Sequence, residues 1–267
     1  MFRSFASYVS LGVSILCLLQ VGQVQAQQVL RVEMENLQAA DGFWLTPVWV
    51  GMHDGSFNLF DAGSPASSSL ELLAEEGNFS GIQSDFAGFG TASVLFGSGF
   101  GNGTPPLIAP GTTAFSEFMV NNTSTERYFS FASMVIPTND AFIGNDNGMA
   151  FEVFDSMGNF HGPITIEVFA GNVWDAGTEV NDGQGAPFNT AGGTSTPELL
   201  SVRIHPGLNV YDGINTPAGT TINTSGFSSS TPIARFTLSA VPEPTSAGVL
   251  GLVALSGLIL RRRRSAG

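Results

Sequence analysis

From Val29 to Glu35 the chain alternates apolar and polar residues, and the run stops at Asn36. Such a period of two puts every second side chain on one face, which is the pattern of a half-buried β-strand and not of a helix. A second run, Pro47 to His53, ends at an Asp54-Gly55 turn and also reads as a half-buried strand. Further strand segments are expected at 113–120, 128–136, 149–154, 164–169, 199–204 and 233–238, each bounded by Gly, Pro, Asn or Asp clusters. About eight short strands with turn chemistry between them predict an all-β fold, an antiparallel β-sandwich. One helix interrupts the pattern. Ser67 to Ser69 can cap its start, Leu70 to Glu76 are good helix formers, and Gly77 suits the left-handed position that ends it. Glu71, Glu75 and Glu76 then form its solvated face.

Both ends of the chain read as addresses. Residues 1–26 begin with Arg3, continue through an apolar stretch, and finish at Val24-Gln25-Ala26, the layout of a secretory signal peptide cut before Gln27. Cys17 is the single cysteine and lies inside that stretch, preceded by Leu16 where a lipoprotein signal places a small residue. The exported chain therefore has no thiol and no disulfide, and its stability must come from packing, hydrogen bonds or metal. At the other end, Val241-Pro242-Glu243-Pro244 precedes uncharged, mostly apolar residues 245–260 and then Arg261 to Arg264. A helix over 245–260 reaches about 24 Å, short of a hydrocarbon core of about 30 Å. The arginines place the terminus on the cytoplasmic side. An ordinary C-terminal membrane anchor is one reading of this layout; more specifically, it resembles the PEP-CTERM sorting signal of Gram-negative bacteria. The resemblance implies an exosortase as partner, transient residence in the inner membrane, removal of the tail, and delivery to the cell surface or extracellular matrix, typically beside extracellular polysaccharide.

Between these signals, residues 27–240 contain every acidic residue except Glu243 and only four basic ones, Arg31, Arg127, Arg203 and Arg235, for a formal charge of -17. A nucleic-acid surface is excluded, since neutralising phosphates needs clustered positive charge. An acidic balance of this kind serves solubility or the capture of cations. Catalytic signatures are missing: His53, His161 and His205 have no ligand spacing, no Ser lies in a GxSxG turn, and the Gly-rich 97–106 stretch fits no phosphate-binding loop. Paired carboxylates for glycoside hydrolysis need proximity only in space, which leaves a secreted polysaccharide hydrolase using acids such as Asp54 and Asp61 as a rival reading. Two segments, 137–148 and 175–183, are dense in Asp, Asn and Gly. They suit either Asx-turns between strands or oxygen ligands for calcium.

The segments Val32-Glu33-Met34-Glu35-Asn36-Leu37, Pro47 to Phe60, Ala132 to Asp140, and Trp174-Asp175-Ala176-Gly177-Thr178-Glu179 together resemble the spondin N-terminal domain over residues 29–200. The resemblance implies an eight-stranded sandwich related to C2 domains, holding calcium, in extracellular adhesive proteins. By position it implies Asp140, Asp175 and Glu179 as metal ligands. Glu179 stands where Asp is more usual, with Asp182 as its substitute, and Ala141 replaces an aromatic residue. The expected protein is a non-enzymatic, calcium-binding sandwich at the cell surface, partnered by extracellular polysaccharide or a surface protein. A further alternative confines calcium to stabilising the fold. Residues 201–240 are open between a strand of the sandwich and a stalk.

Overall fold

The computed structural model describes residues 27–99, 106–190, 192–216 and 218–242; the signal peptide, the 245–260 helix and the arginine tail expected above lie outside these. Among the described residues no helix is long and apolar enough to cross a membrane. Strand β1 (Gln28–Asn36) buries Leu30, Val32, Met34 and Asn36 and turns the alternate residues outward, as its period of two demands. It pairs antiparallel with β5 (Thr113–Val120) on one side and β11 (Pro232–Ala240) on the other, and β11 pairs with β8 (Ile164–Phe169), giving the four-stranded sheet β5-β1-β11-β8. The sandwich therefore does not end at residue 200. The 201–240 region supplies an inner strand of this sheet.

The second sheet contains β10 (Arg203–Ile204), β9 (Trp174–Asp175), β7 (Ala141–Gly144), β6 (Tyr128–Ile136), β3 (Val48–His53) and β4 (Gly90–Leu95) in that order, with β2 (Trp44–Leu45) beside β6. Eleven strands are thus present among the described residues. The main core fills the space between the sheets, where Leu30, Val32 and Met34 meet Val50, Met52, Phe129, Phe131 and Phe236.

Strand β3 corrects the half-buried expectation, because all six of its residues are buried. Val48, Val50 and Met52 face the main core, while Trp49 joins a second apolar cluster on the outer face with Phe57, Phe60, Leu70, Leu73 and Phe86. That cluster exists because helices α1 (Ser68–Glu76) and α2 (Ser80–Asp85) cover the sheet. The α1 termini follow from local chemistry: the Ser67 hydroxyl accepts from Leu70 N, and Gly77 takes φ +66° while its N–H closes the last turn.

Other expectations shift. Segment 149–154 forms only isolated bridges at Glu152 and Phe154, and 199–204 shrinks to β10. Segment 137–148 is not one loop, since β7 runs through it and separates Asp140 from Asn145 and Asp146. The ends of the described chain meet: Val241 N donates to Val29 O and Gln28 Nε2 to Val241 O. The opposite end of β1, roughly 25 Å away by strand rise, is where Asn36 donates to Phe43 O and Ile108 O. There β2 pairs with Ile136, and the chain turns into Asp140.

Candidate functional site

The turn after β6 and the end of β9 bring two buried carboxylates together. Ala141 is the register partner of Asp175, and Ala176 N donates to Asp140 O at 3.2 Å. Both acids have no solvent exposure. One oxygen of Asp140, Oδ2, accepts from Thr178 N (2.8 Å), Thr178 Oγ1 (3.2 Å) and Glu179 N (3.1 Å). The other, Oδ1, is buried without a hydrogen-bond partner. Burial, and then the neighbouring charge of Asp175, push the Asp140 carboxyl up to about 7.

Asp175 is held quite differently. Its Oδ1 accepts from Gly177 N at 2.7 Å, and its Oδ2 accepts from Asn181 Nδ2 at 2.9 Å and pairs with Arg203 at 2.8 Å. Arg203 is its cross-strand partner on β10, so the guanidinium lies beside the carboxylate by register. Asn181 is the hub behind it. The Nδ1 of His205 accepts from Gly207 N, so Nε2 carries the proton and donates to Asn181 Oδ1 at 2.9 Å. Tyr211 donates its hydroxyl to the same oxygen at 2.7 Å. Burial holds His205 neutral, down to about 4, and raises Tyr211 well above the usual phenol range.

Of the four sequence-predicted ligands, Asp140 and Asp175 converge. Glu179 contributes its backbone N–H to Asp140, while its carboxylate adds like charge near Glu75 of α1. Glu75 is half-buried and its carboxyl is raised mainly by that burial, so it is not part of a fully solvated face. Asp182 is exposed and accepts from Gln184 N, an Asx-turn. Among the described residues no three acidic, histidine or cysteine side chains gather in a metal-binding arrangement. A bound cation would therefore draw its carboxylate oxygens from the Asp140–Asp175 pair. The orphaned Asp140 Oδ1 fits that use, because a buried anionic oxygen without a donor is costly unless a proton or a cation meets it. Sequence reasoning missed Asn181, Arg203, His205 and Tyr211. Asn181 lay inside the flagged 175–183 segment, but no local signal tied it to a tyrosine thirty residues later.

A comparison with protein families matches residues 43–205 to the Spondin_N model. The chain belongs to the Spondin_N family. The match covers more than half of the sequence and both carboxylates of the site, and membership makes this an exported, extracellular protein. No curated protein matches the chain. In this Spondin_N domain the match ends at His205, so β11 lies beyond the matched residues although the first sheet cannot be completed without it.

Asp54, one of the acids named for the hydrolase reading, is held by its own turn. Asp54 Oδ1 accepts from Ser56 N and Ser56 Oγ, which holds its carboxyl below the usual range. A general acid for glycoside cleavage needs the opposite shift. His53 next to it is buried, held down to about 4, and donates from Nε2 to Ser130 Oγ while Nδ1 accepts from Gly55 N.

Proposed function

We propose that this protein is a non-enzymatic, calcium-binding sandwich with an adhesive or structural role in an extracellular polysaccharide layer. The observation that carries the reading is Asp140 Oδ1, a buried carboxylate oxygen with no partner beside a second buried carboxylate. Thr178 and Glu179 fix the other Asp140 oxygen, which leaves Oδ1 available, and Gly177, Asn181 and Arg203 fix Asp175. Calcium takes about six to eight oxygen ligands and, when bound, neutralises buried carboxylate charge. Asp140 and Asp175 are the residues that would hold it. The site lies at the end of β1 away from residues 27 and 242. Such a placement supports presentation away from a C-terminal tail that an exosortase would process at the inner membrane before release to the cell surface.

Thermal unfolding with calcium and with chelator tests the reading. Binding to the native state adds about 2.7 kcal/mol when the ion is 100-fold above its dissociation constant. Asp140→Ala and Asp175→Ala are each expected to abolish the calcium-dependent rise. An equal rise in wild type and both variants would place calcium elsewhere, and no rise at millimolar calcium would remove it from this protein.

A further inference from the structure

Positive charge on the described surface is fully committed. The sequence has no lysine, and each of the four described arginines is in an ion pair. Arg31 lies between Glu33 and Glu117, and Arg235 between Glu35 and Glu167; Arg127 pairs with Glu152, and Arg203 with Asp175 and Glu198. Among the described residues an anionic polymer therefore finds no unpaired guanidinium to hold it, and the -17 charge of residues 27–240 repels it.

A basin on the outer face has the complementary character. It encloses about 260 Å³ between the segment leading to α1 and the helix α2. Phe57, Phe60 and Ile82 form its floor, and Asn58, Asp61 and Asp85 stand at its rim. The volume is just below the roughly 300–1,000 Å³ of drug-sized ligand sites, a size suited to a single sugar ring. Asp61 Oδ1 accepts from Asn58 Nδ2 at 2.7 Å, so one Asp61 oxygen is oriented and the other is available. Asp85 is exposed, and its carboxylate has no hydrogen bond or ion pair among the described residues. No basic side chain lines the basin.

We propose that this basin binds an amine-bearing sugar unit of the surrounding polysaccharide, with the ammonium on Asp61 and Asp85 and the apolar face of the ring over Phe57, Phe60 and Ile82. Ammonium–carboxylate hydrogen bonds are charge-assisted, and two acids without a competing cation favour a positively charged ligand over a neutral or acidic one. The inference rests on the polysaccharide part of the proposed function and names the chemistry of that partner. It is independent of calcium, since the basin shares no residue with the Asp140–Asp175 pair.

The experiment titrates glucosamine oligomer, N-acetylglucosamine oligomer and galacturonate oligomer into the exported protein by calorimetry, at pH 6 with chelator present. Binding of the glucosamine oligomer alone is expected, weakened at least tenfold in Asp61→Asn/Asp85→Asn. The double variant Asp146→Asn/Asp155→Asn removes the same charge elsewhere and is expected to bind as wild type does. Equal loss in both double variants, acetylated oligomer binding as tightly as the amine, or no binding of the amine oligomer would each overturn the proposal. Retained binding with no calcium-dependent unfolding shift would leave the basin standing and remove only the metal.

Discussion

Replacing Asp140 by Asn isolates the energetic cost of its buried charge. The acid moves from an ordinary value of 3.8 to about 7 in the folded protein, and each unit corresponds to about 1.4 kcal/mol, so the full effect is about 4 kcal/mol. The sign is opposite to that of a salt-bridged acid. Below 3.8 both folded and unfolded chains hold the proton and nothing is gained or lost. As pH rises towards 7 the unfolded chain ionises first, so calcium-free stability falls. His53 and His205 act the other way over part of the same window. Their folded values are depressed to about 4, so their contribution is lost as pH falls below 6.5. The wild-type profile alone therefore mixes opposing slopes, and the difference between wild type and Asp140→Asn separates them. An asparagine can keep the three donors on one oxygen, but its amide nitrogen then meets the unpartnered position, a pH-independent cost of about 1–3 kcal/mol. Urea unfolding followed by tryptophan fluorescence in chelator, from pH 5 to 8, provides the assay; lower pH approaches the pI of about 4.4. Relative to the variant, wild type is expected to lose about 2 kcal/mol between pH 5 and 7, the part of the 4 kcal/mol shift that falls there. Saturating calcium should offset that loss. A flat difference curve across this range would refute the claim that Asp140 titrates as a buried, charge-repelled acid.

Asn181→Ala strips Asp175 of one donor and leaves His205 and Tyr211 without their acceptor, so urea unfolding should show a loss of about 2–4 kcal/mol, larger than for Asp182→Ala. Arg203→Met leaves Asp175 beside Asp140 without a cation; because the guanidinium is partly exposed, a loss of about 1–3 kcal/mol is expected, partly restored by calcium in a thermal shift assay. Gly77→Ala adds a Cβ 2.4 Å from Thr46 Cγ2 at φ +66°, and should lower the melting temperature by an amount equivalent to about 1–3 kcal/mol, while Gly63→Ala, with open space around it at φ +88°, should cost only its backbone strain of about 1–2 kcal/mol.

Much of the architecture was legible because it is local. Alternation along β1 placed Leu30, Val32 and Met34 inward, the 164–169 segment became β8 at the expected bounds, and Ser67 and Gly77 delimited α1. The failures share one cause. Strand β3 was misread as half-buried because α1 and α2, more than a dozen residues further on, supply the apolar cover for Trp49. Strand β4, Gly-Thr-Ala-Ser-Val-Leu, has too few large apolar residues to announce itself and exists through its pairing with β3.

The candidate site divides in the same way. Composition pointed to the segments 137–148 and 175–183, and the family resemblance to Asp140 and Asp175 within them; residue chemistry made these acidic oxygen ligands in a stretch without thiols or disulfides. Tertiary structure decided which acids meet. Register sets Asp175 opposite Ala141 and Arg203 opposite Asp175, and the fold of 181–211 seats Asn181 between a neutral histidine and a tyrosine. Side-chain identity is a local property, whereas the burial that makes Asp140 Oδ1 costly, and therefore informative, is created only when distant strands close around it.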